Sequence, residues 1–470
     1  MIFSSQEFIF YFLPAVWIAF WLVRPLSVRG SILLLGAASL GFYAWWNWHY
    51  VFLFFASIAL NFTCYRVMRH HPKAWLLKAG IIGNLALIAV FKYAEFLVVD
   101  VAQATQLAPW VDNIVLPLGI SFFTFQQISF LVDSARTPEE QPTPFIDYLA
   151  YVSFFPQLIA GPIVRHDEFL YQLRRKLTLQ DNFVRGCLLF GIGLAKKVLI
   201  ADTLSQYVAA GYADPAMLTT ADAWLLALLY TFQLYFDFSG YSDMAIGLGL
   251  MFGLQLPQNF NSPYQAASIQ DFWRRWHMTL SSWLRDYLYI PLGGSRHGAL
   301  RTYFALIATM FLGGLWHGAG WTFVAWGAAH GVALAVNRAW SRAGFALPPA
   351  AGWLLTFVFV VNLWVVFRAE DFATAATVYA AMWSPAEWSW AALATHAVFG
   401  EPMQLWYAVA GLLVVVTMLP NAWEIDRYCV RHMRSILVVG AQFVAGFLFM
   451  LALKRMAEAS APAEFIYFQF

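Results

Sequence analysis

The sequence predicts an all-α, polytopic membrane protein. Two observations carry that reading. Of the 470 residues, 61% are hydrophobic and 11% are charged, where a soluble domain holds about 25% charged residues. Long stretches also lack any acidic or basic side chain, above all Thr302–Asn337. As one straight helix that stretch would run about 54 Å, well past the roughly 30 Å hydrocarbon core of a bilayer. It must therefore bend or turn.

The same composition narrows the function. The net charge of +2 and the lack of basic runs interleaved with aromatics in a polar context give no reason to expect nucleic acid. The three cysteines, Cys64, Cys187 and Cys429, lie far apart without a C-x-x-C, so neither a metal site nor a redox pair is expected. The aromatics, 22 Trp, 21 Tyr and 43 Phe, suit interfacial belts and the lining of a tunnel.

Taken in order, Phe8–Val23 reads as a first span, with Arg24 and Arg29 on the cytoplasmic side. Gly30–Tyr65 is too long for one span and should fold back near Trp45–His49, returning to a basic loop (Arg66, Arg69, Lys73, Lys78). Ala79–Val99 and Asp112–Val132 are further spans, and the Pro-rich Asp133–Asp147 is a loop. Tyr148–Val164 is broken by Pro156, Gly161 and Pro162 and fits a re-entrant or in-plane segment. Arg165–Arg185 is basic and cytoplasmic. Gly186–Ala201 carries Lys196 and Lys197, so part of it should reach water. Asp222–Gly240 ends in YFDFSGYSD, and the helix after it should stop near Leu256, before Pro257. Asp271–Arg296 mixes Trp and Leu with four arginines, as an amphipathic element at the membrane surface does. After the central run, Ala343–Phe367, Pro402–Trp423 and Ser435–Leu453 complete about ten to twelve spans in a single membrane domain, residues 1–470. The closing FIYFQF falls outside the cytoplasm. No internal repeat is visible.

Within the central run, Gly313, Gly314, Gly318 and Gly320 surround His317, which lies between Trp316 and Trp321. An ionisable residue at a Gly-rich break in an apolar run is a functional candidate, and irregular backbone at membrane depth must be buried or line a cavity. A neutral imidazole near pKa 6.5 suits proton transfer from a hydroxyl. His330 lies thirteen residues on. On one continuous helix it would face away from His317, and the two could share a site only if the chain turns at Gly318–Gly320. His277, beside Trp276, could line the approach to His317 or bond a lipid phosphate. In YFDFSGYSD, Asp237, Ser239 and Tyr241 are candidates, with an acid there able to orient a histidine or to cap a helix end. Arg274, Arg275 and Arg285, with Lys196 and Lys197, could hold the phosphates of a cytosolic donor or serve as positive-inside anchors.

These residues carry a resemblance. DFWRRWHMTLSSWLRDYLYIPLGG, followed by the glycine-flanked LWHGAGWTFVAWGAAHG, resembles the membrane-bound O-acyltransferase (MBOAT) family. MIFSSQEFIFYFLP, YFDFSGYSDMAIG, QNFNSPY, PNAWE and FIYFQF resemble its bacterial polysaccharide branch, with the alginate O-acetyltransferases the nearest type. The resemblance implies a ring of membrane helices around a thin centre, with funnels from both faces meeting near the family's histidine, here His317. The histidine of W-H-M-T-L corresponds to His277. It further implies an enzyme of the bacterial inner membrane that holds no permanent cofactor and takes its acyl group from acetyl-CoA. The acceptor would be an extracytoplasmic partner protein or an exopolysaccharide, and His317 would act as general base or acyl carrier. A transporter or flippase would also suit broken helices but predicts paired repeats. A peptidoglycan, lipid or protein acyltransferase of the same fold is the nearer alternative.

The arginine pattern yields a topology test. In a background with the native cysteines replaced by Ser, single cysteines at Gln180 and Ser295 are expected to be shielded from an impermeant thiol reagent applied to intact spheroplasts. Ready labelling of both would invert the assignment.

Overall fold

The computed structural model describes residues 1–107, 111, 114–137, 141–175, 180–384, 398–399, 402–432, 435–459 and 465–466. Parts of the expected Asp112 span, the Pro-rich loop, the basic Arg165–Arg185 stretch, Arg434 and most of FIYFQF lie outside the described residues. Among the described residues all regular structure is helical, as the apolar composition requires where backbone groups must be satisfied within the segment. The chain divides into two compact units.

The first unit comprises Met1–Gly191 with Tyr241–Pro257 and residues 459–462. It holds α1 (Leu13–Val23), α2 (Val28–Trp46), α3 (Trp48–His70), α4 (Ala74–Lys92), α5 (Ile120–Arg136), α6 (Phe145–Ser153), α7 (Phe155–Leu158), α8 (His166–Arg174) and most of α9 (Gln180–Ala195). Its centre is aromatic: Phe8, Phe12, Phe42 and Phe155 pack with ring centroids 5.4–6.0 Å apart. Asn61, Asn84 and Arg24 are paired inside it. Asn61 and Asn84 exchange side-chain amide bonds at 3.2 and 2.6 Å, which ties α3 to α4. Arg24 turns inward to the carbonyls of Leu173 and Arg175, both at 2.7 Å. The Tyr148–Val164 stretch is α6, a kink at Phe154 and the single turn α7, all buried.

The second unit comprises Ile192–Gly240, Gln258–Glu458 and residues 463–470. It contains α10 (Asp202–Ala213), α11 (Thr220–Met251) through Gly240, α12 (Ile269–Arg275), α13 (Met278–Leu284), α14 (Gly298–His317), α15 (Trp321–Arg342), α16 (Pro349–Arg368), α17 (Phe372–Met382), α18 (Pro402–Met418), α19 (Ala422–Arg431) and α20 (Ile436–Glu458). YFDFSGYSD, expected at a helix end, lies inside α11, which continues to Met251 and stops short of Leu256. The helix tolerates Asp237 because Lys197 Nζ pairs with it at 2.7 Å. It also passes close to α9: a Cβ on Gly240 would sit 2.7 Å from the Gly193 carbonyl.

Among the described residues six helices, α2, α3, α4, α14, α16 and α20, are long and apolar enough to cross a membrane, and α18 with α19, bent by 46°, makes a seventh if the bent pair is one span. This is a multi-pass membrane protein. Other stretches counted as spans from hydropathy, such as those forming α5 and α11, are almost wholly buried in protein, where a helix need not be uniformly apolar.

The central run is a helical hairpin. α14 ends at His317, three residues turn the chain, with Gly318 and Gly320 extended, and α15 starts at Trp321. The arms touch backbone to backbone. A Cβ on Gly314 would lie 2.9 Å from Gly327 Cα, one on Gly327 would lie 2.8 Å from Gly314 Cα, and one on Gly331 would lie 2.7 Å from Ile307 Cα. Gly327→Ala is therefore expected to force the arms apart and cost about 1–3 kcal/mol, the usual range for overpacking. Gly411→Ala, with no atom within 4 Å of the added methyl, should be close to neutral. Thermal unfolding in detergent, followed by size-exclusion fluorescence, measures both. Equal melting of the two variants would refute the close-packed hairpin.

Candidate active site

The hairpin turn brings together what a continuous helix would separate. His317, buried at the end of α14, has its ring among Trp316 (5.0 Å between centroids), Trp326 (5.1 Å) and Phe367 (5.4 Å). Trp326 in turn packs on His330 at 4.7 Å. Of the two alternatives for His330, the structure takes the one in which the chain turns at Gly318–Gly320, so both histidines pack on one indole. Gly318 is required there because the Phe323 ring lies where a Cβ would be. Trp321, four residues after His317, is 49% exposed at the start of α15. Trp326 takes the place in the cage that its position beside His317 had implied for Trp321.

His277 joins the same cluster from the α12–α13 junction. Its ring lies 6.1 Å from Trp316 and edge-on to Phe238 at 4.7 Å. It is completely buried, so it does not reach a lipid phosphate, the alternative role considered for it. Burial lowers its pKa to about 3, so its imidazole is neutral at physiological pH. Trp276 is equally buried, packed between Phe260 (5.1 Å) and Trp364 (5.0 Å).

Both imidazoles have an anchored Nδ1. His277 Nδ1 lies 3.0 Å from Asn259 Oδ1. Trp273 Nε1–H donates to His330 Nδ1 at 3.2 Å. An indole nitrogen can only donate, so His330 Nδ1 is the acceptor and its Nε2 carries the proton.

The segment that holds this arrangement is QNFNSPY. Asn259 meets His277. Asn421 of PNAWE donates to Asn261 Oδ1 (3.1 Å) and Ser262 Oγ (2.8 Å). Tyr264 donates to the Thr231 carbonyl at 2.8 Å, and its own carbonyl receives the Trp353 indole N–H at 2.9 Å. Asn259, Trp273, Trp326, Trp364 and Phe367 were not singled out from the sequence. The polar QNFNSPY stretch just after Pro257 was the one available signal.

The remaining candidates are placed elsewhere. Asp237 is buried and holds Lys197 Nζ (2.7 Å) and the Ile466 backbone N–H (2.8 Å), and so serves as a counter-ion and anchor. Lys197, expected near water, is buried with Asp202 as its second carboxylate at 2.7 Å, which withholds it from a cofactor phosphate. Ser239 is buried two residues on, whereas Tyr241 belongs to the first unit and stacks on Phe3 at 4.7 Å. Arg275 is held by Asp271 at 3.0 Å and Arg285 by Asp286 at 2.7 Å, while Arg274 is exposed. Among the described residues no cluster of His, Cys, Asp or Glu could hold a metal ion.

The described residues thus form a polytopic helical protein with His277, His317 and His330 buried in one aromatic cluster. Residues 101–369 match the membrane-bound O-acyltransferase family, MBOAT, and the chain belongs to it. It is an O-acyltransferase. It is 42% identical to a peptidoglycan O-acetyltransferase of Helicobacter pylori over 81% of this chain and 80% of that protein. Identity is 44% to the probable alginate O-acetylase AlgI of Azotobacter vinelandii, over 83% of this chain and 79% of that protein. A teichoic acid D-alanyltransferase of Bacillus subtilis is 27% identical over 55% of this chain and 70% of its own length.

His330→Ala removes the acceptor of the buried Trp273 N–H and is expected to cost about 1–3 kcal/mol. His330→Gln, whose Oε1 can accept, should cost less. Thermal unfolding checks the order, and an alanine variant as stable as the parent would show that this bond does not hold the cage.

Proposed function

We propose that the protein is a bacterial inner-membrane acetyltransferase that moves acetyl groups from cytosolic acetyl-CoA to an exopolysaccharide, directly or through an extracytoplasmic partner protein. The observation that carries this reading is the meeting of the W-H-G and W-H-M-T histidines, His317 and His277, against one indole, Trp316. Relatives named for O-acetylation of alginate and of peptidoglycan support the acetyl group and a glycan acceptor.

In the proposed step, His317 takes the proton from the acceptor hydroxyl as its oxygen attacks the thioester carbonyl. The C–O bond forms, the C–S bond breaks, and the departing CoA thiolate recovers the proton. His277, on the arginine-bearing side, holds the donor: its Nε2 accepts a hydrogen bond from the pantetheine amide N–H next to the sulfur. The ring-lined surroundings keep water from the thioester.

His317→Gln should then lose transfer by about 10²- to 10⁴-fold at every donor concentration. His277→Gln should raise the donor KM about tenfold to hundredfold, the equivalent of one lost buried hydrogen bond, and recover at high acetyl-CoA. Acetyl incorporation by inverted membrane vesicles across an acetyl-CoA titration measures both. Wild-type transfer by His317→Gln would end the proposal. A His277→Gln variant inactive at all donor concentrations would mean that both histidines act in the chemical step.

A further inference from the structure

His277 occupies an unusual backbone position, with φ +42°, a region that non-glycine residues seldom occupy. Asn259 holds it there from two directions. The Asn259 carbonyl receives the Met278 backbone N–H at 2.9 Å. Its side-chain Oδ1 faces His277 Nδ1 at 3.0 Å, Thr279 Oγ1 at 2.9 Å and the Thr279 backbone N–H at 3.4 Å. A backbone N–H can only donate, which identifies the amide atom facing it as the oxygen. An amide oxygen can only accept, so His277 must present Nδ1–H. The proton of the neutral ring is then used, and Nε2 keeps its lone pair. Nε2 is buried and has no hydrogen-bond partner among the described residues. A buried acceptor without a partner is costly, and a donor group on a bound substrate would relieve that cost.

We propose that Asn259 is a positioning residue that fixes His277 in its Nδ1-protonated tautomer and so reserves Nε2 as the acceptor for the donor's amide N–H. This rests on the reading above that His277 serves acetyl-CoA. Loss of the Asn259 oxygen frees the ring to carry its proton on Nε2, where it repels the amide it should receive.

The test uses the full-length protein in inverted vesicles prepared from its own host lacking the chromosomal copy, with acetyl-CoA as the probe. Asn259→Ala is expected to raise the donor KM about tenfold or more while kcat at saturation stays within about threefold. Asn259→Asp restores an acceptor at the same place and should return KM toward the parent value at alkaline pH. The added carboxylate favours the imidazolium and raises the His277 pKa. Below that raised pKa, Nε2 becomes a donor, so KM should climb as pH falls from 8.5 to 6. The parent, whose His277 stays neutral, should show no such limb. His277→Gln is measured alongside. If it leaves KM unchanged, the assignment of His277 to the donor fails. If it raises KM while Asn259→Ala does not, or if Asn259→Asp fails to rescue and shows no acid limb, the role of Asn259 is overturned. Should the alanine variant not accumulate, the rescue and pH limb of the aspartate variant decide the matter alone.

Discussion

The buried histidine cluster depends on two glycines that touch across a helical hairpin. Because neither Gly314 nor Gly327 has a Cβ, α14 and α15 approach until a methyl on Gly314 would stand 2.9 Å from the Gly327 backbone. In lipid there is little hydrophobic gain from bringing helices together, and close backbone packing supplies the attraction instead. The consequence is chemical. The tight contact allows a three-residue turn, and the turn folds Trp326 and His330 back beside His317. Phe323 closes the arrangement: its ring covers Gly318 and packs edge-on against Phe367 at 5.0 Å, and Phe367 is one wall of the His317 cage. Hairpin, turn and cage are therefore one packing solution, and a side chain at any of these glycines disturbs all three.

The polar part of the structure follows another rule, since a buried hydrogen-bonding group is costly unless it finds a partner. QNFNSPY carries much of that load, with Asn259 bound to His277, Asn261 and Ser262 to Asn421, and Tyr264 to Thr231. The Lys197–Asp202–Asp237 cluster does the same with charge. One ammonium lies 2.7 Å from each of two carboxylates, and Asp237 also receives the Ile466 N–H. Ile466 follows Phe465, whose ring packs on Phe238 at 5.9 Å, and Phe238 stands against His277. The ion cluster thus braces one wall of the His277 site through packing.

How much of this was legible in the sequence depended on whether the signal was local. The membrane class came from composition. His317 came from its glycine-flanked place in an uncharged run, and Gly318–Gly320 was the one turn that could unite it with His330. What was missed is what only a third dimension supplies. Lys197 reads as a lysine reaching for water until Asp202 and Asp237 are seen to enclose it. YFDFSGYSD reads as a helix end because its polar residues look costly inside a helix, and their partners lie far off in the chain. Trp326 and Trp364 could not be picked out among 22 tryptophans, whereas Trp321, conspicuous beside His317, is half exposed because a new helix begins there.

The tautomers are the feature furthest from the sequence, since the letter His carries no information about which nitrogen holds the proton. It is the partner that decides. An amide oxygen at Asn259 requires Nδ1–H on His277, and an indole N–H at Trp273 requires a bare Nδ1 on His330. Two identical side chains in one aromatic cluster are thereby made chemically opposite, one presenting an acceptor at Nε2 and the other a donor. Neither needs a charge to differ from the other, which matters where an isolated ion is expensive to bury. In surroundings of low dielectric such neutral hydrogen bonds are stronger than in water. Choosing tautomers through fixed neighbours is thus a way to place both hydrogen-bonding polarities in a dry centre while keeping formal charge, as at Lys197, locked in its own pair of carboxylates.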